Sequence, residues 1–158
     1  MSDTAIGDYG LISDCHSAAL VSRSGSIDWL CFPRFDQPSV FGRILDADAG
    51  HFSIAPANQG RATRRYIEDT MVLETTFETD SGTVVLRDAL AVGKNERGHD
   101  LGERSPHVLL RFLECTKGEV EVDVEYAPRP EYGLIEPLLA PTAYGIRARG
   151  GAAVLLLS

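Results

Sequence analysis

The sequence predicts an all-β protein, an antiparallel β-sandwich. Turn signals recur at short intervals between runs rich in β-branched and aromatic residues. One such run alternates apolar and acidic side chains without a break, the period-two mark of a sheet wet on one face. Helical periodicity is scarce.

Taken in order, the first strand pair falls at 18–21 and 26–31. The turn between them is Ser22-Arg23-Ser24-Gly25, where Gly25 can supply a positive φ. Pro33 and Pro38 then stop the second strand, because each lacks the N–H that a ladder needs. Ser39 is a plausible cap for a short helical turn over Val40-Phe41-Gly42-Arg43-Ile44-Leu45. Asp46-Ala47-Asp48-Ala49-Gly50 ends that turn before a strand at 51–54. The Asp-x-Asp spacing there lacks the later glycine and glutamate ligands of a calcium loop. A hairpin follows at 72–79 and 83–89, around Asp80-Ser81-Gly82. Residues 93–105, with Gly93, Gly98 and Gly102 among charges, read as a mobile surface loop. A further hairpin is expected at 108–115 and 119–126, around Thr116-Lys117-Gly118. In its second strand Val120, Val122, Val124 and Tyr126 point one way, and Glu119, Glu121, Asp123 and Glu125 the other. The last seven residues, Ala152-Ala153-Val154-Leu155-Leu156-Leu157-Ser158, form an apolar strand with no polar tail, as in a sandwich truncated at its C-terminal strands.

Composition excludes several function classes. With 158 residues and 44% apolar content the chain suits one globular domain. The net charge of −8 argues against nucleic acid, whose phosphates call for basic stripes, and against anionic membranes. No apolar run approaches the ~20 residues needed to span a bilayer. The first twenty residues lack a basic start and a long apolar run, so the expected location is cytoplasmic. Cys15, Cys31 and Cys115 are odd in number and far apart, and read as buried reduced thiols rather than a disulfide or zinc framework. His16, His51, His99 and His107 stand singly as surface or core residues. No metal and no cofactor is implied, and no glycine cluster reads as a nucleotide-binding loop.

The most informative stretch is Gly25 to Phe41. It holds the only tryptophan and displays Arg34, Phe35 and Asp36 between two prolines. It is either a rigid structural corner with an Arg34–Asp36 pair or a loop built to present those side chains.

Here the residues carry a resemblance. Ile6-Gly7-Asp8-Tyr9-Gly10-Leu11-Ile12, Ala18-Ala19-Leu20-Val21, Gly25-Ser26-Ile27-Asp28-Trp29 and Pro33-Arg34-Phe35-Asp36 with Pro38-Ser39-Val40-Phe41 follow one another in order. Arg65-Tyr66 and Thr70-Met71-Val72-Leu73-Glu74-Thr75 come next. The series resembles the amino terminus of bacterial glycoside hydrolase family 15, which includes glucoamylase-like and trehalase-like enzymes. It covers roughly residues 5 to 90, and Gln37 stands where the family pattern has serine. The resemblance implies that residues 1–158 are the N-terminal β-sandwich domain of a longer glycosidase. The paired catalytic glutamates would lie in an (α/α)6 barrel beyond this chain, so no catalytic residue is expected here. It implies hydrolysis of α-glucosidic bonds with inversion by the parent enzyme. The sandwich would support the catalytic (α/α)6 domain and meet the α-glucoside through it, with Trp29, Arg34, Phe35 and Asp36 bordering the sugar. Tyr9 could also stack on a sugar face. The competing class is a free-standing carbohydrate- or protein-binding β module. An open strand edge near residues 152–158 would favour dimerisation in either case.

The acidic row needs separate weighing. Same-face residues on a strand sit ~6.6 Å apart, near the ~6.5–9.5 Å of an inverting glycosidase pair. A catalytic acid needs its pKa raised by burial, and a wet strand face leaves carboxylates ionised. The row therefore reads as a solvated outer face.

Overall fold

A computed structural model describes residues 4–58 and 60–158, and they form an antiparallel sandwich. The strands are β1 (Gly10–Ser13), β2 (Ala18–Val21), β3 (Ser26–Cys31), β4 (Ser39–Phe41), β5 (His51–Pro56), β6 (Arg61–Tyr66), β7 (Leu73–Glu78), β8 (Gly82–Leu90), β9 (Leu109–Gly118), β10 (Val122–Ala127), β11 (Leu138–Thr142), β12 (Gly145–Gly150) and β13 (Ala153–Leu157). The first sheet runs β1-β2-β3-β5-β10, the second β6-β7-β8-β9, and a third, smaller one β11-β12-β13. Strands β4 and β5 share one side of β3. β4 takes Leu30 and Cys31, and β5 takes Ser26 and Ile27.

The core lies between the first two sheets. Ile12, Val21, Ile27 and Leu30 on one side meet Leu73, Phe77, Val84 and Leu86 on the other, all essentially without solvent contact. Along most of these strands the core positions alternate with outward residues, the β2–β3 register shift spacing Ile27 and Leu30 by three, so the apolar faces of two sheets close over one another. Leu155 and Leu157 of β13 pack against the same core. Beside them an apolar cleft of about 890 Å³ opens between β9, β13 and the first sheet.

The two hairpins around Gly25 and Asp80-Ser81-Gly82 form where the sequence places them. Gly25 has φ +80°, and a Cβ there would come within 2.3 Å of the Ile54 carbonyl oxygen. The third expected hairpin does not form. β9 keeps pairing with β8 as far as Gly118 opposite Gly82, and β10 crosses to the first sheet to pair with β5. Thr116-Lys117-Gly118 is therefore the end of a strand; β9 and β10 belong to different sheets. In β10 Val122 and Tyr126 pack on the core, while Val124 is 60% exposed at the sheet edge. The acidic side chains from Glu119 to Glu125 are all exposed, as a solvated face requires.

Two further expectations change, and the 93–105 loop gains a structural detail. Ser39 caps no helix: it begins β4, fully buried, and the single turn that follows is closed by Leu45 N–H to the Gly42 carbonyl (2.8 Å). Of the cysteines only Cys31 is buried; Cys15 and Cys115 are exposed, and all three are free thiols. The 93–105 loop has a built centre. The Glu96 carboxylate accepts backbone N–H bonds from Gly93 (3.0 Å), Gly102 (2.8 Å) and Arg104 (2.6 Å). Burial would raise its pKa, but these bonds outweigh it and hold the carboxyl below the usual range.

Candidate functional site

Residues 32–38 link β3 to β4 as a loop at one end of the sandwich, with the Phe32–Pro33 peptide cis. Its base is tied down. The Phe35 N–H donates to the His16 carbonyl at 2.8 Å, and Gln37 N–H to the Arg34 carbonyl at 3.1 Å. The loop that receives it is built on Asp14, which is completely buried. Asp14 Oδ1 accepts from the backbone of His16 (3.0 Å) and Ser17 (2.7 Å), and Oδ2 accepts the Ser105 hydroxyl. One buried carboxylate thus joins the 14–17 turn to the 93–105 loop, and the 32–38 loop rests on that pair. His107 lies edge-on to both His16 and Phe32, with ring centroids 5.9 and 6.3 Å away.

On this base Arg34 Nε donates to Asp36 Oδ1 at 3.0 Å, and both side chains are more than half exposed. The Arg34 guanidinium holds the Asp36 carboxyl below its ordinary value. Phe35 is 59% exposed. The loop therefore presents an apolar ring beside an ion pair, three groups on a braced support.

Trp29 does not join them. The bulge between β2 and β3 sends it to the outer face of the first sheet, where its ring lies 6.3 Å from that of Tyr132. Among the described residues no hydrogen bond or aromatic contact links Trp29 to Arg34, Phe35 or Asp36. The four residues predicted for one site fall into two.

That outer face holds a polar network that the sequence reading missed. Tyr9 OH donates to Asp28 Oδ2 at 2.9 Å, and the Ser26 hydroxyl donates to Oδ1. Burial first, and then this carboxylate, push the Tyr9 phenol above its usual pKa. Arg43 Nη1 stands 3.9 Å from Asp28 Oδ1, while its Nη2 is 2.6 Å from His51 Nε2. Glu125 Oε2 lies 3.0 Å from that same nitrogen. When Arg43 donates to it, the nitrogen accepts; when it faces Glu125, it donates. Beside this network a cleft of about 560 Å³ is lined by Arg43, Asp48, His51, Glu125, Arg129 and Glu136. The β10 alternation foresaw that Glu125 points outward. Nothing local in the sequence foretold its meeting with His51 and Arg43. Among the described residues no group of three His, Cys, Asp or Glu side chains is arranged to hold a metal ion.

These features define an antiparallel β-sandwich domain with a braced end loop and an aromatic–polar outer face. The chain belongs to the family of trehalase-like N-terminal domains, whose family model matches residues 2–158. It is 42% identical over 140 residues to a trehalase of Mycolicibacterium smegmatis and 40% identical over 140 residues to one of Mycobacterium tuberculosis. Each match covers 80% of this chain and 20% of the relative. Trehalase 1 of Sulfolobus acidocaldarius is 32% identical over 139 residues, covering 87% of this chain and 22% of its own length. The chain thus spans about a fifth of the length of the curated relatives it matches. No solved structure gives a significant match.

Proposed function

We propose that this chain is the non-catalytic N-terminal sandwich of a glycoside hydrolase family 15 enzyme of trehalase type. The parent hydrolyses an α-glucosidic bond with inversion, and the sandwich supports an (α/α)6 catalytic domain of the same polypeptide. The observation that carries this reading is the family match over residues 2–158, together with relatives that are named trehalases and of which the chain covers about a fifth. Inverting hydrolysis needs one protonated and one ionised carboxyl group flanking the bond. The exposed row on β10 supplies neither burial nor enclosure for the protonated one. The free thiols fit a reducing cytoplasm.

In this reading the 32–38 loop faces the catalytic domain and borders its sugar site. Arg34 and Asp36 offer donors and acceptors to sugar hydroxyls, and the braced backbone loses little entropy on binding. The test compares the 158-residue protein with the full-length enzyme. The short chain should release no glucose from trehalose, maltose or starch, whereas the full enzyme should hydrolyse trehalose. In the full enzyme Arg34→Ala should lower kcat/KM by about tenfold, ~1.4 kcal/mol, with an unchanged melting temperature. Glucose release by the short chain at an enzymatic rate overturns the non-catalytic assignment. Unchanged kinetics, or a loss matched by unfolding, returns the loop to a structural role.

A further inference from the structure

We infer that the outer face of the first sheet is a second carbohydrate-binding surface, one that takes an α-glucoside on the Trp29–Tyr132 rings and the adjoining cleft. The choice of sugar rests on the trehalase-type reading above; the site itself rests on geometry. The two rings lie 6.3 Å apart with planes inclined by 34°, and Tyr132 is half exposed. Trp29 is the only tryptophan in the chain and lies partly exposed on this face. Tyr132 and its neighbour Glu131 both adopt left-handed backbone, at φ +59° and +58°. Two successive non-glycine residues held there are strained, and the strain turns a large ring toward solvent beside Trp29. Pyranose rings present apolar C–H faces that such aromatic surfaces cover.

The adjoining cleft has the complementary chemistry. It begins at Gly133 and Leu134, directly after Tyr132 in the chain, and reaches Arg43 and His51. Its volume, about 560 Å³, lies within the ~300–1,000 Å³ of small-ligand sites. Arg43 and Arg129 can only donate, while Asp48, Glu125 and Glu136 can only accept. An anion would meet three carboxylates there and a cation two guanidinium groups. A sugar hydroxyl both donates and accepts, so it can bridge the two kinds of group. His51, almost wholly buried, has one ring nitrogen 2.6 Å from Arg43 and 3.0 Å from Glu125, and a bond to either partner orients that side of the lining.

The experiment is a trehalose titration of the 158-residue protein, followed by the fluorescence of Trp29. The expected result is a saturable change with a Kd of about 1 mM, reproduced by maltose and absent with mannitol. Tyr132→Ala and Glu125→Gln should each weaken binding at least tenfold, with circular dichroism melts that match the parent chain. Arg34→Ala, at the other site, should leave it unchanged. Because Glu125 is exposed, Glu125→Gln keeps the test open if Tyr132→Ala fails to fold. No saturable change up to ~100 mM trehalose, an equal response to mannitol, or binding that survives Glu125→Gln overturns the inference. Each of these leaves hydrolysis by the full enzyme unaffected, so the two readings fail separately.

Discussion

Arg111 of β9 carries its charge into the interior with 3% of its side chain exposed, and its guanidinium makes four hydrogen bonds there. It donates to both oxygens of buried Asp88 (2.7 and 3.3 Å) and, at 2.6 Å each, to the carbonyls of Phe52 and Gly25. It also lies 4.7 Å over the Phe52 ring. One side chain therefore ties the second sheet to β5 and to the β2–β3 turn. Burial pushes the Asp88 carboxyl above its ordinary pKa, and Arg111 pulls it part of the way back. Arg111→Leu should cost about 3–5 kcal/mol at neutral pH, because it leaves a buried charge unpaired. A carboxyl whose folded pKa lies above its unfolded value costs stability as pH rises past the unfolded value. The variant raises the folded value further, so its penalty should shrink as pH falls toward 4. Urea unfolding at pH 7 and pH 4 measures this, and an equal penalty at both would show that Asp88 is not the source.

At the level of elements, the outer face of the second sheet is a ladder of charges. Arg65 on β6 bonds Glu74 on β7 (2.6 and 2.8 Å), Glu74 bonds Arg87 on β8 (2.8 Å), and Arg87 bonds Glu114 on β9 (2.9 Å). The register sets Glu74 directly opposite both Arg65 and Arg87, so strand pairing delivers the contacts. Arg65 first, then Arg87, hold the Glu74 carboxyl below its usual value despite its burial. A depressed carboxyl stabilises the fold above its unfolded pKa, and that contribution is lost as pH falls through the folded value. Glu74→Gln should thus cost about 1–2 kcal/mol at pH 7, and the two proteins should converge as pH falls below the ordinary carboxylate range. Melting curves that stay parallel down to pH 2.5 would contradict it. The same strands mark how far sequence reasoning reaches. The 73–78 and 82–90 hairpin was legible because Asp80-Ser81-Gly82 closes it locally. Thr116-Lys117-Gly118 carries the same signal, yet the ladder between β8 and β9 holds through Gly118, and no local rule records that. β6 was missed because its burial alternates without an apolar row, and β11 because Pro141 reads as a breaker when it lies in the outer strand of the third sheet. At the site, the Arg34–Asp36 pair was legible from neighbours in sequence. The Trp29–Tyr132 pair and the Arg43–His51–Glu125 contacts join distant segments and become visible only once the strands are in register.

Across the whole molecule the sheets remain open. β9, β10 and β13 each end a sheet, and an apolar cleft runs between β9, β13 and the first sheet. Open edges offer unpaired backbone N–H and C=O groups to any strand that fits. β9 shows Leu110 and Phe112 to solvent, but Glu114 and Lys117 follow them and discourage pairing. β13 has no such guard: Ala153–Leu157 contains no charge and no proline, and Val154 and Leu156 are 60% and 62% exposed. Leu155 and Leu157 face the core, so the strand is already held extended, and ordering it for a second copy costs little. The net charge of −8 opposes approach of two copies at low salt. We therefore expect the 158-residue protein to dimerise through β13, antiparallel edge to edge, with association that strengthens with protein concentration. It should also strengthen as salt rises toward 0.15 M, where the screening length falls to about 8 Å. Leu156→Lys places a charge in the middle of the exposed row, as natural edge strands do, and should leave a monomer at every salt concentration. Sedimentation equilibrium of both proteins decides the matter, and a monomeric parent chain at high concentration and moderate salt would remove β13 as a self-association edge.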